Sequence, residues 1–122
     1  MKFSKEYVNE CDCPEIQGLR KELKLYDFYT FEYGDDLYPT ISICVDETLK
    51  YKGFIWLPTS GQLDEQIVKL NYGDNYIVDY HIRGVCEVSI YFDTAMVYIH
   101  RVRHANPLIA KIKLLKQLMG AK

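Results

Sequence analysis

Residues 75–104, "NYIVDYHIRGVCEVSIYFDTAMVYIHRVRH", decide the fold. Three runs within it, NYIVDYHIR, VCEVSIYF and AMVYIHRVRH, alternate apolar and polar side chains, and a period of two marks a half-buried strand. Arg83-Gly84 and Asp93-Thr94 separate the runs where hairpin turns belong. Strands joined by tight turns are antiparallel. Two-residue turns at both places set His81 opposite Cys86 and Tyr91 opposite Met96. Parity then puts Cys86, Val88, Ile90, Phe92, Val97, Ile99 and Arg101 on one face, with Asp79 and His81 at its rim. The middle of this face is apolar, so a helix is expected to cover it. The opposite face carries Tyr76, Tyr80, Tyr91 and Tyr98 beside Glu87 and His100, with Val102 at its edge. A slip of one residue at either turn exchanges the faces of the strand involved.

The covering helix is read from "ANPLIAKIKLLKQLMG", 105–120. Asn106 is a natural cap, Pro107 suits the first helical position and Gly120 ends the segment. At 100 degrees per residue Leu108, Ile112, Leu115 and Met119 make a stripe, widened by Leu114 and Leu118 on one side and Ile109 on the other. Lys113, Lys116 and Gln117 form the wet face, and Lys111 falls within the apolar arc. Apolar side chains cover more than half of this helix, wider than one sheet contact requires, which raises the expectation of self-association.

Upstream, "PTSGQLDEQIVKLNYG", 58–73, predicts a helix capped by Thr59 with Gln62 completing a capping box; Leu63, Ile67 and Leu70 share a face and Gly73 follows its end. Before it come three strand-like runs: about 25–33 in "LKLYDFYTFEY", "YPTISICV" with Ile41, Ile43 and Val45 on one face, and "YKGFIWLP" stopped by Pro58. "CPEIQGLRKEL" predicts a short helix opened by Pro14, and residues 1–13 read as an irregular N-terminal segment. The expected fold is α+β: an antiparallel sheet of about six strands in order β-β-β-α-β-β-β-α, the C-terminal helix packed on one face, in a single domain over 1–122.

Composition agrees with a folded domain: 122 residues, 48% hydrophobic and 26% charged, with 7 Gly and 4 Pro, is enough chain for a real core and too little Gly and Pro for a disordered one. No apolar run approaches a membrane span and the N-terminus has no apolar signal region, so a cytoplasmic protein without a membrane partner is expected. Its four cysteines are then expected to be thiols. The net charge of −2 conceals an asymmetry. From Met1 to Asp93 there are 17 acidic and 9 basic side chains, a balance of −8; from Thr94 to Lys122 there are six basic and none acidic, +6. A basic end of this kind either borders the chain's own acidic residues or meets an anionic partner.

No arrangement here makes a convincing catalytic or metal centre, and no cofactor is expected. Cys11-x-Cys13 is one residue short of the usual zinc knuckle. Asp79, His81 and Cys86 share a face in the register above and would resemble a thiol-nucleophile set, but a cysteine in a core strand is ordinarily a small hydrophobe. The helix start at "PTSGQ" lacks the glycine density and lysine of a phosphate loop. The residues with most to offer a ligand are Tyr76, Tyr80, Tyr91 and Tyr98 with Glu87, His100, Arg101 and Arg103, because rigid rings with hydroxyl tips give contact area at low entropic cost.

Three patches, "CDCPEIQ", "IWLPTSGQLDEQIVKL" and "HANPLIAKIKLLKQLM", resemble small proteins encoded by phages and prophages of gut bacteria. The resemblance brings no activity, ligand or catalytic residue; it implies an accessory role. The leading expectation is a non-enzymatic binding protein acting by surface contact on a protein partner or on itself. One form is an anti-defence inhibitor whose carboxylates occupy a basic groove of a host protein. The alternatives are a single-stranded nucleic-acid-binding module using the tyrosine face and basic strand, with phosphate contacts supplying affinity, and a small metal- or Cys/His-dependent enzyme.

Overall fold

The first helix begins where irregular chain was expected. Ser4 is extended, its hydroxyl accepts from the Tyr7 amide, and α1 follows over Lys5–Cys11. The computed structural model describes residues 3–31, 40–48, 50, 52–70, 75–80, 84–91 and 98–120, and of 75–80, 91, 98 and 99 the backbone alone. In chain order α2 (Pro14–Gln17), β1 (Phe28–Thr30), β2 (Ser42–Ile43), β3 (Ile55–Leu57), α3 (Ser60–Leu70), β4 (Asn75–Tyr80), β5 (Cys86–Tyr91), β6 (Tyr98–His104) and α4 (Pro107–Leu118) follow. The class is α+β and every strand pair is antiparallel. Where one sheet of about six strands was expected, the described strands form two sheets of three, β2-β1-β3 and β4-β5-β6. The chain divides into two compact units, Met1–Thr59 and Ser60–Lys122. No helix among the described residues is long and apolar enough to cross a membrane.

In the first unit the strands are shorter than alternation predicts, for local reasons. The Asp27 carboxylate accepts from the Lys24 amide and the Asp27 amide donates to the Lys24 carbonyl, which closes a tight turn just before β1. Gly53, at φ +72, holds the left-handed conformation that glycine adopts most cheaply and delays β3. The core of the unit gathers Phe3, Tyr7, Val8, Cys11 and Ile16 with Trp56 and Leu57. Phe3 stacks on Tyr7 and meets Phe28 edge-on, and the Tyr7 hydroxyl donates to the Pro58 carbonyl at 2.7 Å. Gln17 stands in for a missing strand beside β3: its amide accepts from Trp56 N at 2.8 Å and donates to Trp56 O at 3.0 Å and Cys11 O at 2.8 Å. A strand edge that would otherwise leave backbone groups unmatched is closed by one side chain.

In the second unit the helix predicted at the C-terminus is present with its predicted signals. The Asn106 side chain accepts from the Leu108 and Ile109 amides, Pro107 is the first helical residue and Gly120 turns left-handed at φ +75. Ile109, Ala110, Ile112, Leu114 and Leu115 are buried. α4 packs on β5, β6 and α3, while Leu108, Leu118 and Met119 of its apolar arc are half-buried. Leu63 and Ile67 of α3 are fully buried, as their spacing implies; Gly73 lies outside the described residues.

Cys86, Val88 and Ile90 are buried, so the core side of β5 is as predicted, but the registers of its neighbours differ. Tyr80, not His81, pairs with Cys86, and Gly84 adopts φ +75 in the longer connection. Tyr91 pairs with Tyr98, not Met96, which leaves 92–97 between the paired residues in place of a two-residue turn. Near that end β6 is irregular: Ile90 pairs with His100 and Tyr91 with Tyr98, skipping Ile99, the extra residue of a β-bulge. The outcome on β6 is a reversal of faces. Val102 pairs with Val88 and is buried, whereas Arg101 is exposed. Burying Val102 beside Val88 satisfies the apolar row that a two-residue turn would have broken.

Candidate interaction surfaces

The β4-β5-β6 register arranges residues in rows across the sheet. Tyr80–Cys86–His104, Val78–Val88–Val102 and Tyr76–Ile90–His100 make one set, and Asp79–Glu87–Arg103, Ile77–Ser89–Arg101 and Asn75–Tyr91–Tyr98 the other. The four tyrosines expected on one face therefore divide between the two sets. The side chains of Tyr76, Tyr80, Tyr91 and Tyr98 lie outside the described residues. Asp79 and Cys86 fall in different sets, so the register does not bring them together as a nucleophile and its orienting acid; His81 lies outside the described residues.

Glu87 was expected beside His100 and meets arginines instead. Its carboxylate is 4% exposed; Oε1 lies 3.0 Å from Arg101 Nε and Oε2 lies 2.7 Å from Arg103 Nε. Because Arg101 and Arg103 are two apart on one strand, both reach the same side of the sheet, and Glu87 on the central strand sits between them. The two guanidiniums keep substantial contact with water, at 41% and 57% exposure. His100 is half-buried opposite Ile90, and His104 accepts from the Asn106 amide through Nδ1, bracing the turn into α4.

A third basic residue of the C-terminal stretch is also matched inside its own unit. The Lys111 ammonium reaches α3, 2.6 Å from Ser60 Oγ and 3.0 Å from Asp64 Oδ1. Composition and periodicity placed Lys111 in the apolar arc; the carboxylate that receives it was not foreseen. Arg101, Arg103 and Lys111 thus each meet a carboxylate of their own unit.

The first unit displays a different surface, one that the sequence reading did not single out. Leu25, Tyr26, Phe31, Ile43 and Val45 are exposed, Tyr26 at 72% and Val45 at 73%. Tyr26 is also the non-glycine residue at positive φ, +69, among those described. Its amide donates to the Cys44 carbonyl at 2.7 Å, and the Asp27 turn fixes the strained backbone from the other side. Left-handed backbone at a bulky residue costs roughly 1–2 kcal/mol and persists only where its surroundings enforce it. Here it turns an aromatic ring outward next to aliphatic neighbours. Acidic groups border the set: the Glu47 carboxylate lies 3.4 Å from the Leu25 amide, and the two hydrogen bonds from Thr48 hold the Asp46 carboxyl below its usual pKa. The Glu22 carboxyl is likewise lowered, by the hydrogen bond and charge of Lys50 at 3.0 Å.

Cys11, Cys44 and Cys86 are buried thiols and Cys13 is half-buried. Burial, and the neighbouring Cys11, push the Tyr7 phenol well above its ordinary value, so the hydroxyl keeps the proton it donates to the Pro58 carbonyl into the alkaline range. Among the described residues no three of His, Cys, Asp and Glu come together as metal ligands would. No family model, curated protein or solved structure matches this chain.

Proposed function

We propose that the protein is a non-enzymatic interaction protein that acts by surface contact, with the exposed apolar side chains of the first unit as its contact surface. The observation that carries this reading is Tyr26: a large ring, mostly in water, held out by strained backbone beside Leu25, Ile43 and Val45. Clustered exposed apolar groups mark protein contact sites, and aromatic anchors dominate the energetics of such sites. Residues 1–59 carry eleven acidic and seven basic side chains, a balance of −4, so a basic partner surface is favoured and its encounter accelerated. An accessory protein of phage origin that blocks a basic groove on a host defence protein is the specific form that suits this chemistry.

The test is capture of a protein from native host cells by the intact chain and by a Tyr26→Ala, Val45→Ser variant. Capture that weakens with salt and is lost in the variant supports the reading. A partner retained by the variant, or held equally at low and high salt, removes it.

A second reading, contact with single-stranded nucleic acid, draws on Arg101 and Arg103 side by side at the sheet rim. The Glu87 carboxylate lies between them, which lowers the charge that remains for phosphates. A labelled oligonucleotide that fails to shift at low salt, where phosphate contacts are strongest, ends it.

A further inference from the structure

We infer that Cys11 and Cys13 form a reactive dithiol: Cys13 takes up an external disulfide and Cys11 resolves the adduct, leaving a Cys11–Cys13 disulfide at the junction of α1 and α2. This chemistry is independent of what the first unit contacts and goes beyond the surface-contact reading.

The backbone between the two residues is already bent for the bond. The Cys13 amide donates to the Cys11 carbonyl at 2.9 Å, and Asp12 between them has φ −81 and ψ 68. That bond and those angles make an inverse γ-turn. The ends of such a turn have their Cα atoms roughly 5–6 Å apart, within the span of a disulfide. A fully extended Cys-x-Cys segment would hold them about 7 Å apart, at the limit. Gln17 Nε2 donates to the same Cys11 carbonyl at 2.8 Å and braces the turn. The Cys13 side chain folds back along it, with Sγ 3.7 Å from the Glu10 carbonyl, part of the peptide group that carries the Cys11 amide. Closing the bond then takes rotation of the Cys11 side chain away from Tyr7, with which its thiol hydrogen-bonds.

Burial assigns the two roles. Cys13 is half-buried, whereas Cys11, Cys44 and Cys86 are fully buried, so an incoming disulfide reaches Cys13 first. The Cys13 thiolate attacks one external sulfur, the external S–S bond breaks, and the departing thiolate takes up a proton. Cys11 then gives its proton to solvent and attacks the Cys13 sulfur. The mixed disulfide breaks and the second thiol leaves. Two protein thiols are oxidised and one external disulfide is reduced to two thiols. Because Cys11 stands two residues from the adduct, this second step is intramolecular and outpaces attack by a thiol from solution. Glu10, Asp12 and Glu15 flank the pair in the chain, so a cationic disulfide is favoured over an anionic one.

Cystamine, a cationic disulfide, is the probe. After its reaction with the intact folded chain the remaining thiols are alkylated, and the tryptic peptide 6–20, which holds Cys11 and Cys13 and no other cysteine, is weighed. The peptide is expected to be two hydrogens lighter than the dithiol, with neither an alkyl group nor half of cystamine attached. Cys11→Ala is expected to keep half of cystamine on Cys13, because nothing resolves the adduct. Cys13→Ser places serine at the N-cap of α2, where serine is favoured, so its folding is under little threat. It is expected to slow the reaction of the folded chain with cystamine at least about tenfold, since the thiols left are buried. Circular dichroism reports whether the variants fold; should Cys11→Ala unfold, the peptide from the intact chain decides alone. An intact chain that keeps half of cystamine on Cys13, or whose peptide 6–20 stays fully alkylated, overturns the inference. So does a folded Cys13→Ser protein that reacts as fast as the intact chain.

Discussion

The Lys111 ammonium, 8% exposed, lies 3.0 Å from the Asp64 carboxylate and 2.6 Å from the Ser60 hydroxyl, so α4 is tied to the first turns of α3 by a charge carried through the apolar arc. A buried ammonium is tolerated because a carboxylate and a hydroxyl receive it. Removing the carboxylate leaves a nearly buried ammonium with less to receive it, whereas Asp64, itself 41% exposed, already reaches water and loses less when the lysine goes. Asp64→Ala should therefore cost about 2 kcal/mol and Lys111→Met less than about 1, since an apolar isostere often replaces a buried ion without loss. Urea midpoints of the two variants decide it; a larger loss for Lys111→Met contradicts the account.

Glu87 inverts that logic, because here the carboxylate is buried and the cations are partly wet. Without Glu87 the two guanidiniums keep their access to water; without both arginines a carboxylate that is 4% exposed loses the two cations that β6 brings to it. The Arg101→Ala, Arg103→Ala double variant should lose about 3 kcal/mol, more than Glu87→Gln at about 1–2. Each single arginine variant should lose less than half of the double, since the remaining partner still neutralises the acid. Chemical denaturation of the four proteins at neutral pH gives the ordering, and Glu87→Gln as the costliest change would refute it.

These ion pairs also show where sequence is legible and where it is not. α4 could be read residue by residue, because capping at Asn106 and the spacing of Ile109, Ile112 and Leu115 are local facts. α1 carried a similar signal, Ser4 followed by Tyr7, Val8 and Cys11 on one helical face, but its polar surroundings read as irregular. The partner of Glu87 depended on the length of the 92–97 connection and on the bulge at Ile99, neither of which is written in alternation. The face of Ile41, Ile43 and Val45 was evident, but not its outward direction. Alternation finds a face and is silent on which way it turns, and here the smaller Cys44 is the buried neighbour.

Tyr7 gives the protein an alkaline limit. Its phenol is buried against the Pro58 carbonyl and its folded pKa stands well above the ordinary value of 10.0, while in the unfolded chain it titrates normally. Above pH 10 the unfolded state releases this proton and the folded state keeps it, so stability falls as pH rises; below pH 10 the contribution is complete. Tyr7→Phe should lose about 1–2 kcal/mol at neutral pH, having left a buried carbonyl without its donor. The same variant should show a shallower decline above pH 10 than the intact chain. Parallel slopes for the two proteins in urea titrations from neutral to alkaline pH would show that Tyr7 is not responsible.

Tyr26 separates stability from contact. At φ +69 glycine is the residue best suited to the backbone, and replacing tyrosine there relieves strain of roughly 1–2 kcal/mol while adding about 0.5–1 of unfolded-chain entropy. Tyr26→Gly should therefore fold at least as well as the intact chain, because a side chain that is mostly in water has little packing to lose. Its Cys44 hydrogen bond uses the backbone amide and survives the change. If the ring is an anchor for a partner, the same variant should lose at least about tenfold in partner affinity, the loss expected for an aromatic contact. Thermal unfolding with and without captured partner reads both quantities. A destabilised Tyr26→Gly protein would mean that the ring is held by packing within its own unit, and a stable one that binds normally would mean that the strained turn serves the fold of β1 and β2 alone.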